Sequence, residues 1–443
     1  MPGKRPINAD LPSAQAETSE SQPPTPPPPA KKQPKRQRRP VPAALKAVAG
    51  LVAVAVVFLV AAVLGGGGSN EDAPELAPAP AQRSAEEVGT PAAEAAEELG
   101  YPSFATNNTT RVGGSDPAAI AAAVTLAVFP SATAAQRPAS VTILDEDDWQ
   151  GAVAASVLMA EPLRSPLLVS SGDDLPEPTE QALAALAPRG SVKAGDTQAF
   201  VIGDAATPGE LKTDHIDGGG PAALAASIAT ERDKLFDGPP AHFVLAPEAR
   251  PELAIPAAAW AARSGDPVLF SGAEKLPTPT AQALRTHPKV PVYVLGPSSA
   301  ISSNVVREAG KVGGRVRRVS GEDPVANAIA LARYAGGDFG WNVNDPGHGF
   351  VVARSDAPLA AAVASPLSAS GTWGPLLLTD DAGTLPAALR EYLLDVKPGY
   401  TTDPTRAFYN HVWVIGDQEA IDVNQQAEID QLAELTRIGG TEP

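Results

Sequence analysis

The chain has 443 residues, no cysteine and a formal net charge of −17 at pH 7. The missing cysteine excludes disulfides, thiolate metal sites, a cysteine nucleophile and a lipidated cysteine anchor. Residues 1–46 hold nine of the 34 Lys/Arg and three of the 51 Asp/Glu, so the remainder carries a net −23 and repels DNA or RNA.

Residues 1–43 combine Pro23, Pro24 and Pro26 to Pro29 with Lys31, Lys32, Lys35, Arg36, Arg38 and Arg39. Almost no bulky apolar side chain accompanies them, which predicts a disordered basic tail. From Ala47 to Leu64 eighteen residues carry no charge. As a helix they reach roughly 27 Å at about 1.5 Å per residue, which spans a bilayer. A transmembrane helix over 44–64 is therefore expected. The basic flank puts the N-terminus in the cytoplasm, and the bulk of the chain is extracytoplasmic. A cleaved signal peptide fits less well, because its apolar core is shorter and no long basic tail precedes it. A core helix would not run into Gly65 to Gly68 and then Ser69, Asn70, Glu71 and Asp72. Residues 65–110 stay rich in Pro, Ala, Glu and Ser and are expected to form a flexible linker.

Beyond the linker one unit is written three times. Arg111-Val-Gly-Gly-Ser-Asp-Pro117 recurs as His215-Ile-Asp-Gly-Gly-Gly-Pro221 and as Arg318-Val-Ser-Gly-Glu-Asp-Pro324. Each proline opens an alanine-rich helical stretch, where its fixed φ suits the first turn. A short strand follows at Val141 to Leu144, Phe243 to Leu245 and Phe350 to Val352, then a helix at Ala152 to Ala160, Leu253 to Ala262 and Leu359 to Ala369. Next come Pro166-Leu-Leu-Val-Ser170, Pro267-Val-Leu-Phe-Ser271 and Pro375-Leu-Leu-Leu-Thr379, the continuous apolar runs of strands covered on both faces. Leu175-Pro176, Leu276-Pro277 and Leu385-Pro386 start a third helix, and Phe200 to Gly203, Tyr293 to Gly296 and Trp413 to Gly416 give a last buried strand. Strand, helix, strand, helix, strand implies right-handed crossovers and a parallel sheet. The predicted α/β repeats occupy 111–214, 215–317 and 318–443, the third lengthened by an insertion around Lys397 to Arg406.

This pattern resembles the cell-wall-binding repeat 2 family, which occurs in triplicate in Gram-positive surface proteins. The matching elements are the R-V-x-G-x-D openings at Arg111 and Arg318, the Pro-Leu-Leu strand, the Leu-Pro helix start and the aromatic-Val-Ile-Gly strand. The resemblance implies three small parallel sheets flanked by helices, packed as a pseudo-threefold triangle, that hold the protein to a cell-envelope polymer. The family's usual Arg-Tyr pair after the opening motif is replaced by prolines. The acidic residue that often starts its second helix is plain only at Glu252, with Gly151 in its place in the first copy.

By this resemblance Pro166, Leu167, Leu168, Pro267, Val268, Leu269, Pro375, Leu376 and Leu377 are candidate polymer-binding residues. Their ordinary reading is the end of a buried central strand. Parallel sheets bind ligands beyond the C-terminal strand ends, which makes Ser170, Ser171, Ser271 and Thr379 the candidates for direct contact. An anionic polymer needs a locally basic surface, and Arg307, Lys311, Arg315, Arg317 and Arg318 are the dense basic cluster. Trp149, Trp341 and Trp373 fall near loops where indoles stack on sugars, although core packing is the commoner use. Asp145 to Asp148 read as a solvated acidic turn without calcium-loop spacing.

The glycines of the opening motifs form neither a phosphate loop nor a dinucleotide fingerprint. His215, His242, His287, His348 and His411 offer no zinc spacing, and no G-x-S-x-G elbow occurs. The expectation is a non-catalytic binding module without cofactor. Competing readings are a transmembrane scaffold or protein-interaction module, whose basic tail meets a cytoplasmic partner or anionic lipid, and a degenerate hydrolase with chemistry at the strand ends.

Overall fold

The computed structural model describes residues 106–371 and 373–438. The predicted tail, the transmembrane helix and all but the end of the linker lie outside the described residues. Among the described residues no helix is long and apolar enough to cross a membrane.

In chain order the strands are β1 (Thr109–Val112), β2 (Val141–Asp145), β3 (Leu167–Ser170), β4 (Ala199–Ile202), β5 (Thr213–Ile216), β6 (Phe243–Pro247), β7 (Val268–Ser271), β8 (Val292–Leu295), β9 (Val316–Val319), β10 (Gly349–Arg354), β11 (Leu376–Thr379), β12 (Gly399–Tyr400), β13 (His411–Ile415) and β14 (Thr436–Arg437). They form three four-stranded sheets, β3-β2-β4-β5, β7-β6-β8-β9 and β11-β10-β13-β1, in which every pairing is parallel. The insertion of the third repeat contributes β12, which pairs in parallel with β14 as a separate ribbon.

Sequence repeat and sheet are out of phase. The opening motif, read from sequence only as the approach to a helix, is the fourth strand of a sheet and closes the sheet that precedes it. β5 therefore belongs with β2 to β4, and β9 with β6 to β8. β1 has no preceding sheet and pairs with β13 near the end of the chain, Arg111 opposite Val414 and Val112 opposite Ile415. Each opening helix then crosses to the next sheet. Pro117–Val128 lies on β3, Pro221–Leu235 on β7 and Pro324–Arg333 on β11.

These helices start where local chemistry dictates. Proline occupies the first turn of each, and Asp116 and Asp323 accept from the backbone N–H of Ala119 and Ala326 at 2.8 and 2.7 Å. Gly220 stands at the third cap and offers no side chain. The second helices pack on one another: Pro256–Ser264 touches both the 3-10 turn Ser156–Met159 and helix Ser365–Ser368. Ala257, Ala261 and Ala364 are fully buried there, and Ser156 Oγ lies 3.0 Å from Ser365 Oγ. Small side chains permit that close approach.

One expectation is corrected. The Pro-Leu-Leu strands β3, β7 and β11 are edge strands, yet all of their residues are buried because helices cover the edge. A buried edge must satisfy its outward carbonyls. In the first sheet Thr125 and Thr179 donate their hydroxyls to the carbonyls of Leu167 and Val169 at 3.0 and 2.6 Å, and in the second Thr280 donates to Phe270 at 2.6 Å.

Candidate functional site

In each sheet the strand order reverses beside the central strand, so a crevice opens beyond the C-terminal ends of β2 and β4, β6 and β8, and β10 and β13. The glycines ending β4, β8 and β13, Gly203, Gly296 and Gly416, have φ of 58°, 95° and 96°. Such values turn the chain sharply away and keep Cβ out of the crevice.

Around the first crevice Asp145 accepts from the backbone of Asp147 and Gly172, each at 2.9 Å, and Ser171 donates to Glu146 at 2.5 Å. Asp148 caps the helix Trp149–Ala155 by accepting from Gly151 N–H at 2.7 Å. Burial, followed by the charges of Asp145 and Asp204, raises its pKa above the ordinary carboxyl value despite that bond. The predicted acidic turn is thus largely a device that orders the loop. At the third crevice Arg354 pairs with Asp356 through bonds of 2.9 and 2.6 Å, and Asp381 accepts from Gly383 and Thr384 N–H, which hold its carboxyl below the usual range. The first and third mouths are acidic. Among the described residues no three His, Cys, Asp or Glu side chains are placed to hold a metal ion.

Pro166, Leu167, Leu168, Pro267, Val268, Leu269, Pro375, Leu376 and Leu377 are all buried. Ser170, Ser271 and Thr379 are buried as well. Ser170 Oγ accepts from Ala206 N–H at 3.1 Å, while Ser271 and Thr379 donate to the carbonyls of Gly272 and Asp381 at 2.9 and 3.1 Å. What reaches the surface lies one to three residues further on: Ser171 and Gly172, Ala273 and Glu274, and Asp380.

The arginine cluster divides. Arg318 donates to the carbonyls of Gly296 and Ile301 at 2.5 and 2.6 Å and so fastens the loop after β8. Arg111 does the same more completely in the third sheet, donating to the carbonyls of Gly416, Asp417 and Ile421 and to Gln426 Oε1. Arg317 lies 3.5 Å from the Tyr293 hydroxyl, and Arg315 is exposed. Arg315 and Arg317 remain beside the surface of β9, and Arg307 and Lys311 are exposed on the helix Ser303–Val312.

A more concentrated basic site escapes the sequence. A cavity of about 350 Å³ is lined by Arg137, Arg164 and Arg189 and by no acidic side chain. Arg164 lies over the Phe129 ring, 5.3 Å from its centroid, with Glu161 3.7 Å away at the surface. Arg189 donates to the Arg137 carbonyl at 3.3 Å, and the buried Nε of Arg137 has no acceptor among the described residues. The three residues belong to different loops, so no run of basic residues announces them.

Of the tryptophans singled out, Trp149 packs edge-on against Phe270, Trp341 is buried and Trp373 is 41% exposed.

No family model and no curated protein matches the chain. Solved structures share its fold, among them two from Clostridium difficile. Cwp6 from Clostridium difficile aligns at 18% identity with a TM-score of 0.57, covering 74% of this chain and 47% of that one. Cwp8 from Clostridium difficile aligns at 16% identity with a TM-score of 0.55, covering 74% and 52%. The chain thus spans about half the length of either protein, and at these identities the likeness is one of fold.

Proposed function

We propose that this chain is a membrane-anchored, non-catalytic protein whose three α/β units bind a polymer of the cell envelope outside the membrane. The observation that carries the reading is the fold shared with Cwp6 and Cwp8, both cell wall proteins, over 74% of the chain. On this reading the units are divergent cell-wall-binding repeats arranged about a pseudo-threefold axis. The closure by β1 and the mutual packing of the second helices support that arrangement.

In the proposed mechanism the buried Pro-Leu-Leu strands do not touch the polymer. They hold the exposed residues that follow them, Ser171 and Gly172, Ala273 and Glu274, and Asp380, at the crevice mouths. Because two of those mouths are acidic, an anionic stretch of polymer would be held at the Arg137, Arg164 and Arg189 cavity, where guanidinium groups make charge-assisted bonds to carboxylate or phosphate.

Co-sedimentation of the purified full-length chain with cell walls and with soluble envelope glycopolymers tests the reading. Retention by at least one fraction is expected, with salt sensitivity that falls when Arg137, Arg164 and Arg189 are changed to Gln. Failure to bind every fraction at about 0.15 M salt, where surface charges are screened beyond roughly 8 Å, would overturn it. Deleting residues 1–64 should release the chain from the membrane fraction.

A further inference from the structure

The chain has five tryptophans, and three of them line one cavity. Trp260, Trp341 and Trp373 surround a space of about 400 Å³ together with Arg263, Asp338 and the His242–Asp266 pair. That volume lies in the range of small-ligand sites. The cavity sits at the N-terminal ends of β6, β7, β10 and β11, opposite the crevice mouths. Two local departures build it. The connection between helix Pro324–Arg333 and β10 is long enough to bring in Asp338 and Trp341, and an aspartate, Asp266, stands before Pro267 where Ser165 and Gly374 stand before Pro166 and Pro375.

Part of the polar lining is spent inside the fold. Asp266 accepts from His242 N–H and Trp260 Nε1 at 2.9 Å and lies 3.0 Å from His242 Nδ1, and Ser264 donates to the Trp260 carbonyl at 2.8 Å. What stays free for a ligand is distinctive. Trp341 is 6% exposed, and its indole N–H has no acceptor among the described residues. A buried orphan donor normally has a partner, supplied by water or ligand. Trp373 is 41% exposed, with Arg263 held over its ring at 4.2 Å from the centroid. Asp338 is exposed at the rim.

We infer that this cavity binds a pyranose ring. The apolar C–H face of a sugar stacks on an indole held rigid by a guanidinium, one hydroxyl accepts the Trp341 N–H, and the remaining hydroxyls bond Asp338 and Arg263. An inorganic anion would use Arg263 and leave the tryptophans idle. A quaternary ammonium would use the tryptophans but offer the Trp341 N–H no acceptor.

The inference is separable from the polymer reading, since the tryptophan cavity shares no lining residue with the crevice mouths or with the Arg137, Arg164 and Arg189 cavity. Titrating the full-length chain with glucose, N-acetylglucosamine, cellobiose and chitobiose, followed by tryptophan fluorescence and saturation-transfer NMR, tests it. At least one sugar should bind. Trp373→Ala should weaken that binding at least tenfold, and Trp341→Phe, which removes the donor and keeps a ring, several-fold, both with unchanged thermal melting. Wall co-sedimentation of Trp373→Ala reports the polymer site independently, and its loss or retention does not bear on the sugar titration. Binding of none of the four sugars at 10 mM, equal binding by Trp373→Ala, or a response only to phosphate or tetramethylammonium would overturn the inference.

Discussion

Replacing Arg111 with Met should open the molecule where its two ends meet. Arg111 is 2% exposed in β1, and its guanidinium donates to the carbonyls of Gly416 at 2.9 Å, Asp417 at 2.5 Å and Ile421 at 2.6 Å and to Gln426 Oε1 at 2.8 and 3.1 Å. Burial draws its pKa below the ordinary value, and Asp417 and Asp422 oppose that shift. Methionine fills much of the volume but removes the donor from the Gly416 and Ile421 carbonyls and Gln426 Oε1, while the Asp417 carbonyl keeps the Ile421 N–H at 3.2 Å. Breaking such a network costs about 3–5 kcal/mol. Unfolding entropy near 2.1 cal/mol/K per residue over about 330 residues gives ~0.7 kcal/mol/K, so Tm should fall by about 4–7 °C.

The repeat supplies its own controls for this experiment. Arg318 occupies the equivalent place in β9 and bonds two carbonyls, so Arg318→Met should cost roughly half as much, about 1.5–2.5 kcal/mol. His215 occupies the third place and is exposed, so His215→Met should stay within about 0.5 kcal/mol. Thermal and urea melts followed by circular dichroism give the three values on one chain. Equal effects at all three positions, or none at Arg111, would refute the assignment of Arg111 as the clamp on the closing strand.

Asp148→Asn keeps an oxygen for the Gly151 cap and removes a carboxylate whose folded pKa is raised by burial. Since ionisation is disfavoured in the fold, Asp148 costs stability above its folded pKa, and that cost fades as pH falls and ends below its ordinary value of 3.8. The variant should therefore gain most over the parent at neutral pH and nothing below that value. A gain independent of pH would contradict the account. Gly374→Ala should destabilise by about 2–3 kcal/mol through overpacking. Its Cβ would lie 1.7 Å from the Gly349 carbonyl oxygen, whereas Gly209→Ala, with nothing within 4 Å, should leave the melting temperature unchanged.

The three core strands of each unit were legible because a parallel strand covered on both faces needs an unbroken apolar run. Val141 to Leu144 became Val141–Asp145, and Phe243 to Leu245 became Phe243–Pro247. The fourth strand was not legible. Thr213–Ile216 and Val316–Val319 sit at sheet edges with partly exposed polar residues, and four residues such as Val-Arg-Arg-Val carry no periodic signal. Nor does local sequence say that β1 joins a strand some 300 residues away, because that pairing depends only on which edge is left open. The edge position of the Pro-Leu-Leu strands was hidden for a related reason: hydroxyls of Thr125, Thr179 and Thr280 do what a neighbouring strand would do. At the candidate site the strand-end rule named Ser171, which is exposed, together with three residues that the fold buries. Ser170, Ser271 and Thr379 are the last residues of their strands and face inward. Arg137, Arg164 and Arg189 meet only through tertiary structure.

Comparison of the copies separates what the scaffold needs from what is free to specialise. Apolar strands and the positive-φ glycines at 203, 296 and 416 recur in all three units. The clamp residue, the helix cap and the edge hydroxyl do not: Arg111, His215 and Arg318 differ, as do Asp116, Gly220 and Asp323, and Thr179 and Thr280 are matched by Leu389. The loops differ further still, with acidic mouths in the first and third units, an arginine cavity in the first and a tryptophan cavity between the second and third. A triplicated fold whose loops have diverged this far presents three dissimilar surfaces on one frame. If the three units bind one polymer as proposed, recognition would rest on several weak contacts of different chemistry, and the later contacts would be intramolecular once the first had formed.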